Sequence, residues 1–221
     1  MTSPPSSDQD PVGGLSGVRT TAAEADAERN QLLLAARGVL ERSGWWGFKV
    51  EGVLRQAGLS TRSFYRHFEK KNDLLMALMD RELGGAAIHL ARVTAGGATP
   101  AERVRNYISA TLDMAYNEEL VKPSSLFASH WRELRHEYPD EIDQCAARMV
   151  APLAEAIADG VAGGEFTSED PVADAQAIFN LVAGMAADQA SYRATPRQEI
   201  EHIALPFIAR ALGISGGLTT R

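Results

Sequence analysis

One short stretch of the chain concentrates side chains that can bind an anion. Residues 49–71 hold six basic and two acidic residues, a charge of +4, which leaves −11 for the remainder of a chain whose net charge is −7. The basic residues are Lys49, Arg55, Arg62, Arg66, Lys70 and Lys71, and the acidic ones are Glu51 and Glu69. A small basic island on an acidic body suits a protein that touches DNA with one edge only. Because any short window can become basic by chance, the charge alone does not decide for DNA.

The same stretch has the spacing of a helix-turn-helix. Apolar residues repeat at helical intervals over Val50–Ala57, and Gly58 then interrupts the helix. Ser60 can cap a second helix that runs from Thr61 to about Phe68. Two short helices joined by a tight turn that contains glycine are typical of this DNA-binding motif.

The second helix of such a pair presents its first residues to the major groove. Arg62 is suited to a two-pronged contact with guanine, and Thr61 to a thymine methyl or a base edge. Tyr65, His67 and Lys71 carry donors suited to phosphate oxygens. The predicted DNA-binding residues are Lys49, Ser60, Thr61, Arg62, Ser63, Tyr65, Arg66, His67 and Lys71. We expect the apolar side chains of the region to be core or near it, namely Trp45, Trp46, Phe48, Leu59, Phe64 and Phe68. A solvated arginine at position 62 would look identical in the sequence, so base contact remains one of two interpretations.

The motif resembles the TetR family of bacterial transcriptional regulators. The matching segments are Ala57-Gly58-Leu59-Ser60, Phe64-Tyr65-Arg66-His67-Phe68, then Lys71 and Leu74-Leu75, with Leu33, Ala35, Ala36, Leu40 and Gly44 in the first helix. Two positions depart from the family pattern. Lys49 replaces a common threonine and cannot cap the second helix, and Gly52 weakens that helix. The resemblance implies a ligand-responsive repressor that binds a palindromic DNA operator as a homodimer.

The remainder of the chain is predicted to be helical. Thr21-Ala-Ala-Glu24 and Thr99-Pro100-Ala-Glu102 are capping sequences, and Asp170-Pro171 repeats the signal. We therefore predict an all-α fold of about nine helices, with an N-terminal three-helix helix-turn-helix domain and a larger helical domain for ligand binding and dimerisation. The predicted segments are a disordered tail at 1–20, the DNA-binding domain at 21–70, the larger domain at 71–213 and a flexible tail at 214–221.

Both functions of the larger domain follow from the resemblance. Relatives dimerise through their last two long helices, and here small and apolar residues predict that face: Ala173, Ala177, Asn180, Gly184, Ile203 and Phe207. Relatives also enclose a ligand, and the positions that correspond are Tyr107, Met114, Phe127, His130, Trp131 and Met149. These residues suit an apolar or amphipathic small molecule. Such residues at helical spacing are also typical of ordinary core, and that alternative stays open.

Other functional classes find little support in the sequence. The hydrophobic fraction of 45% and the charged fraction of 23% are typical of soluble globular proteins. No apolar run is long enough for a membrane span, and the single cysteine, Cys145, fits a reducing cytoplasm. Glu133 and His136 have the spacing of a di-iron motif, but a second copy is lacking, so we predict neither metal nor cofactor and no enzymatic activity. The alternatives are a regulator without an effector, an activator, or a helical small-molecule-binding protein or enzyme that does not bind DNA.

Overall fold

The computed structural model describes residues 14–116, 131–187, 195–215 and 217–218, and within them it contains nine helices and no β-strand. In chain order these are α1 (Gly14–Gly47), α2 (Val50–Ala57), α3 (Thr61–His67), α4 (Lys71–Ala95), α5 (Pro100–Tyr116), α6 (Trp131–Glu137), α7 (Pro139–Ala162), α8 (Pro171–Ala187) and α9 (Arg197–Ala211). The predicted all-α fold class is confirmed. No helix among these residues is long and apolar enough to cross a lipid bilayer.

Two of the predicted capping sequences begin helices. The Thr99 hydroxyl accepts a hydrogen bond from the Glu102 backbone N–H at 3.1 Å, and the Glu102 carboxylate accepts one from the Ala98 N–H at 2.9 Å. The Asp170 carboxylate accepts from the N–H groups of Val172 and Ala173 at 3.1 and 3.0 Å. These bonds satisfy N–H groups that have no partner in the first turn of a helix, and they fix where α5 and α8 begin.

The first helix begins earlier than its capping sequence predicts. α1 begins at Gly14, so Thr21 lies inside the helix and the predicted start at Thr21 is wrong. The helix takes in residues 14–20, which the composition assigned to the tail. No proline follows Pro11 in this region, and four alanines over 22–27 favour continuation of the helix over a cap. The predicted end is confirmed, because Gly44 has a φ of 65° and interrupts the helix after Ser43.

The buried side chains form two clusters stacked along the molecule. The lower core joins α1, α2, α3 and the first half of α4 to Leu134, Ile142 and Cys145 of α6 and α7. The upper core joins the second half of α4 to α5, the later part of α7, α8 and α9. Among the described helices, only α4 and α7 contribute extensively to both cores, and they pack along each other. The helix-turn-helix therefore belongs to the lower core, and the predicted dimer helices belong to the upper core.

Candidate nucleic-acid interface

The turn between α2 and α3 is built from one glycine and one serine. Gly58 has a φ of 66°, in the left-handed region where side chains are unfavourable, and its N–H bonds the Leu54 carbonyl. The chain then leaves α2 sharply, and Ser60 caps α3 by accepting a hydrogen bond from the Ser63 N–H at 3.1 Å. Phe64 and Phe68 are 2% and 5% exposed and anchor α3 in the lower core. The predicted helix-turn-helix geometry is present in full.

A cationic and polar face of this motif lies open to solvent. The Tyr65 side chain is 64% exposed. The other exposed members of the predicted set are Lys49, Ser60, Thr61, Arg62, Arg66 and Lys71. Lys49 precedes α2 in an extended conformation and makes no capping bond, as expected from its departure from the family pattern. Lys49 precedes α2, Ser60 to Arg62 begin α3, and Lys71 begins α4, while Tyr65 and Arg66 lie in the second half of α3.

Two residues predicted to face outward instead face the first helix. Ser63 is 8% exposed, and its hydroxyl lies 3.2 Å from that of Ser60. The His67 side chain is only 8% exposed, and its Nε2 lies 2.8 Å from the Glu28 carboxylate. The helical period explains this correction, because positions 63, 64, 67 and 68 lie on one side of α3 and Phe64 commits that side to the core.

Glu28 of α1 joins several residues of α3. Besides His67, its carboxylate binds the Arg66 guanidinium at 2.9 Å. The hydrogen bond with His67, then that with Ser63, and the charge of Arg66 hold the pKa of Glu28 below its ordinary value of 4.5. Sequence reasoning missed Glu28 because 38 residues separate it from Arg66. Arg66 therefore has a partner within the protein, which leaves Arg62 as the arginine of α3 better placed for DNA.

Of the two adjacent tryptophans before α2, one is buried and the other is exposed. Trp45 and Phe48 are 8% and 3% exposed, as expected for core residues, but Trp46 is 83% exposed. The prediction that Trp46 is core is therefore wrong. After the break at Gly44 the chain makes a single helical turn, and adjacent residues in a turn point to different sides. One tryptophan enters the lower core and its neighbour faces solvent.

The start of α4 is bonded to residues that are distant in the sequence. The Asp73 carboxylate accepts hydrogen bonds from the N–H groups of Glu69 and Lys70, both at 3.0 Å, and from the Tyr138 hydroxyl. Lys70 forms an ion pair with Glu137, and its ammonium lies 5.4 Å from the centre of the Tyr138 ring. These bonds fasten the α3–α4 turn to the junction of α6 and α7. They place Lys71 at a fixed end of α4.

The charges of this cluster are stabilised by their neighbours. Burial opposes ionisation of Asp73, but the hydrogen bonds from Tyr138 and from the Lys70 and Glu69 backbone outweigh it, so the pKa of Asp73 lies below 3.8. The hydrogen bond from Lys70 likewise lowers the pKa of Glu137, and the same bond raises the pKa of Lys70. No local sequence signal predicts the cluster, because its two halves are 65 residues or more apart.

Residues predicted to line a ligand pocket fall into three groups. Tyr107 and Met149 are 1% and 6% exposed in the upper core, where the Tyr107 hydroxyl donates to the Met149 carbonyl at 2.8 Å and burial raises the Tyr107 pKa. Met114 packs half-buried against the same core. Phe127 and His130 lie outside the described residues, and Trp131 begins α6. Among the described residues, Tyr107, Met114 and Met149 therefore lie in or against the upper core.

Two clefts lie elsewhere on the molecule. One, of about 620 Å³, runs between α1 and α2 and is lined by Arg42, Lys49 and Arg55 among others. The second, of about 330 Å³, lies where α1, α3, α4 and α7 meet and is lined in part by His67 and Tyr138. Neither cleft includes a residue predicted for the ligand pocket. Within the described segments, no group of three or more histidine, cysteine, aspartate or glutamate side chains could hold a metal ion.

The predicted dimer residues share one property, which is exposure in the single chain. Ile203 and Phe207 of α9 are each 52% exposed, and Val172 at the start of α8 is 65% exposed. The four residues predicted on α8, which do not include Val172, are also exposed: Ala173, Ala177, Asn180 and Gly184. A methyl group added to Gly184 would meet nothing within 4 Å. An open face of small and apolar side chains therefore runs along the last two described helices.

The helical fold and the open basic motif define a DNA-binding protein of the helix-turn-helix class. Two family models match the chain, "Bacterial regulatory proteins, tetR family" over residues 32–78 and "Tetracyclin repressor-like, C-terminal domain" over residues 100–202. The chain belongs to the TetR family of bacterial transcriptional regulators, which confirms the resemblance drawn from the sequence. A comparison with curated proteins returned no match.

Solved structures with the same fold share little sequence with this chain. A TetR-family regulator from Rhodococcus sp. is 22% identical with a TM-score of 0.66, covering 83% of this chain and 98% of that one. A regulator from Saccharomonospora viridis, solved with choline, is 20% identical with a TM-score of 0.66, covering 85% and 98%. FadR from Bacillus subtilis, solved with stearoyl-CoA, is 19% identical with a TM-score of 0.64, covering 84% and 97%. At such identities the likeness concerns the fold.

Proposed function

We propose that this protein is a ligand-responsive transcriptional repressor that binds a palindromic operator as a homodimer. The observation that carries the proposal is the exposure of Thr61, Arg62 and Tyr65 on a helix whose other side is anchored by Phe64. A rigid helix with free polar side chains at its start is what entry into a major groove requires. Had these residues been buried, the proposal would have no basis.

The exposed residues divide into base contacts and phosphate contacts. Arg62 reads a guanine through its two parallel N–H donors, and Thr61 meets a neighbouring base edge. Tyr65, Lys49 and Lys71 bind phosphates and set the register of the protein on the duplex. Lys71 also lies in the first turn of α4, where free N–H groups favour an anion. Ser63 and His67 act indirectly, since they orient α3 against Glu28 of α1.

A second copy of the chain covers the exposed face of α8 and α9. Ile203 and Phe207 supply apolar area, while Ala173, Ala177 and Gly184 allow two helices to approach closely. Pairing across a two-fold axis makes a four-helix bundle and places both copies of α3 on the same side of the dimer. The operator then has two inverted half-sites about one helical turn apart, roughly 34 Å.

An apolar or amphipathic small molecule is the proposed effector. The relatives solved with choline and with stearoyl-CoA support a ligand site in proteins of this fold. In this chain the proposed lining residues are Tyr107, Met114, Phe127, His130, Trp131 and Met149. The protein releases DNA when the effector binds, because the effector binds the DNA-free conformation of the protein more tightly than the DNA-bound conformation.

The DNA proposal is tested with duplexes selected from a random pool by the purified protein. Fluorescence anisotropy then measures operator affinity over a range of salt concentrations. We expect Arg62→Ala to reduce affinity by about 5- to 150-fold at each half-site and to relax sequence preference, since a bidentate base contact is worth roughly 1–3 kcal/mol. Lys71→Ala should weaken binding to all duplexes alike. The slope of the logarithm of the binding constant against the logarithm of salt concentration should become shallower by about one per protomer.

The matched control removes one arginine from the other end of α4. Arg92 is exposed and lies about 30 Å along the helix from Lys71. Arg92→Ala should change operator affinity no more than about twofold, because at this distance the charge is screened. The DNA proposal would be refuted if Arg62→Ala and Arg92→Ala lost operator affinity equally. It would also be refuted if selection from the random pool enriched no sequence.

The effector proposal has a separate test. Choline and stearoyl-CoA serve as first probes, followed by a library of apolar amines, acids and phenols, and binding is measured as a rise in melting temperature. A compound that stabilises the protein should also lower operator affinity. If compounds that stabilise the protein at saturation leave operator affinity unchanged, the repressor has no effector of this kind.

A further inference from the structure

The cleft between α1 and α2 carries cations on both of its walls. Arg42 lies on the α1 side, and Lys49 and Arg55 lie on the α2 side. All three side chains are exposed, and among the described residues none of them has a carboxylate partner within ion-pair distance. Glu51 also lines the cleft, so these four side chains give it a net charge of +2. The cleft therefore offers uncompensated positive charge to an anion.

A glutamine of α2 holds one of these cations in place across the cleft. The Arg42 guanidinium donates a hydrogen bond to the side-chain oxygen of Gln56, which joins the end of α1 to α2. Gly38 leaves room for this contact, because a Cβ at position 38 would lie 2.6 Å from Gln56 Nε2. Glutamine is neutral, so it orients Arg42 without cancelling its charge. A guanidinium has five N–H donors, and Arg42 therefore keeps donors for the oxygens of a ligand.

The fold does not account for two residues on the α2 wall of the cleft. Lys49 makes no capping bond, although a serine or threonine at this position would stabilise the helix. Gly52 weakens the helix, yet its φ is not positive, and a Cβ there would lie 3.6 Å from Val39, which is an ordinary contact. Because Val39 also lines the cleft, a side chain at position 52 would occupy part of it. Both residues cost α2 stability, and both keep the cleft open or cationic.

The size and position of the cleft distinguish it from the predicted base-reading surface of α3. Its volume of about 620 Å³ lies in the range of roughly 300–1,000 Å³ that is typical of small-molecule sites. Lys49 and Arg55 are about 9 Å apart along α2, a spacing that suits a ligand with more than one anionic group. Whereas α3 contacts α1 at Glu28, Arg42 lies about 21 Å further along α1. Lys49 belongs to both the cleft and the predicted DNA-binding set.

We propose that the α1–α2 cleft binds a small molecule with two or more phosphate groups, and that this molecule competes with DNA for Lys49. Guanidinium groups such as those of Arg42 and Arg55 bind phosphate oxygens through paired N–H donors, and the Lys49 ammonium adds a point charge. The Glu51 carboxylate can accept a hydrogen bond from a hydroxyl or amino group of the same molecule. This site is separate from the effector site proposed for the larger domain. The binding site itself goes beyond the proposed function, and the competition for Lys49 rests on it.

Titration of the free full-length protein with pyrophosphate tests the site without DNA. Isothermal titration calorimetry is performed at an ionic strength kept constant with sodium chloride, so that charge screening is equal in all titrations. We expect one pyrophosphate to bind per chain. Arg42→Gln and Arg55→Gln should each weaken binding about tenfold or more, because each removes charge-assisted hydrogen bonds. Glu51→Gln should strengthen binding, because it removes a like charge. Arg92→Gln is the matched control, since it removes an exposed arginine of α4 and should leave the affinity unchanged.

Substitution of Gly52 separates loss of the site from loss of the fold. Alanine and glutamine both favour a helix over glycine, so Gly52→Ala and Gly52→Gln should melt at a higher temperature than the wild type. The longer side chain of Gly52→Gln also fills part of the cleft, so this variant should bind pyrophosphate more weakly than Gly52→Ala does. The site would be rejected if the wild type did not bind pyrophosphate, or if Gly52→Gln bound it as tightly as the wild type. Equal losses of pyrophosphate affinity in Arg42→Gln, Arg55→Gln and Arg92→Gln would also reject it.

The selected operator duplex distinguishes a free phosphate compound from a phosphate of DNA. Without pyrophosphate, Arg42→Gln and Arg55→Gln should keep operator affinity within about threefold of the wild type. Pyrophosphate should weaken operator binding by the wild type and have little effect on these two variants. If pyrophosphate does not bind and both variants lose operator affinity with a shallower salt dependence, the cleft holds a DNA phosphate and the proposal is overturned. Pyrophosphate binding by a protein that selects no duplex would retain the phosphate site and reject the repressor function.

Discussion

Phe207 offers a quantitative test of the proposed dimer. Its side chain is 52% exposed in the single chain. An aromatic side chain presents roughly 200 Å², so about 100 Å² of Phe207 is available for burial by a second copy. At about 25 cal/mol per Å² this amounts to about 2.5 kcal/mol. A two-fold interface contains the residue twice, which gives an upper value of about 5 kcal/mol for Phe207→Ala.

Ordering of side chains and imperfect packing reduce that value, so we expect a loss of about 2–5 kcal/mol. The dimer dissociation constant should rise between about 30-fold and several thousand-fold. Sedimentation equilibrium over a range of protein concentrations measures this constant directly. Ile88→Ala is the matched control, since Ile88 is 73% exposed but lies on α4, outside the proposed face. A dimer that is indifferent to Phe207→Ala, or equally weakened by both substitutions, would refute the assignment of this face.

Three further predictions concern stability. Ser60→Ala should lower the free energy of unfolding by about 1 kcal/mol in urea titrations, whereas Ser60→Thr retains the capping oxygen and should lose less. Because the folded-state pKa of Asp73 is lowered, its stabilisation is present above its ordinary pKa and lost as pH falls. The stability difference between wild type and Asp73→Asn should therefore shrink below about pH 4, and a pH-independent difference would contradict this. Combined Gly84→Ala and Gly85→Ala should raise the melting temperature by roughly 4–8 °C at fixed protein concentration, and destabilisation would show that the sites are not open.

Local signals predicted the helices well because their ends are fixed by local chemistry. The Thr99 and Asp170 caps and the glycine at position 58 act within four residues of themselves, so the sequence alone identifies them. The prediction of a helix start from a capping sequence failed at Thr21, where an alanine-rich segment allows the helix to continue through that sequence. A cap signal indicates where a helix can begin and does not prevent an earlier start.

The orientation of side chains in the candidate interface was harder to predict. Arg62 and Tyr65 were placed correctly on the outside, but Ser63 and His67 turn toward Glu28, and Trp46 faces solvent. The partner of His67, Glu28, is distant in the sequence, whereas Trp46 and its buried neighbour Trp45 differ because adjacent residues of one turn point to different sides. Phe64 offered a usable signal, since a buried aromatic residue commits its neighbours at helical spacing to the same side. The contacts of Asp73 with Tyr138 cross 65 residues and carry no such signal.

The proposed operator recognition depends most on contact between Arg62 and a base in the major groove. In the selected operator, each guanine can be replaced in turn by 7-deazaguanine, which removes the N7 acceptor and leaves base pairing intact. We predict that one position per half-site costs the wild-type protein about tenfold or more in affinity and costs the Arg62→Ala variant nothing further. If every replacement weakens both proteins to the same extent, Arg62 does not read the operator and the central claim is wrong.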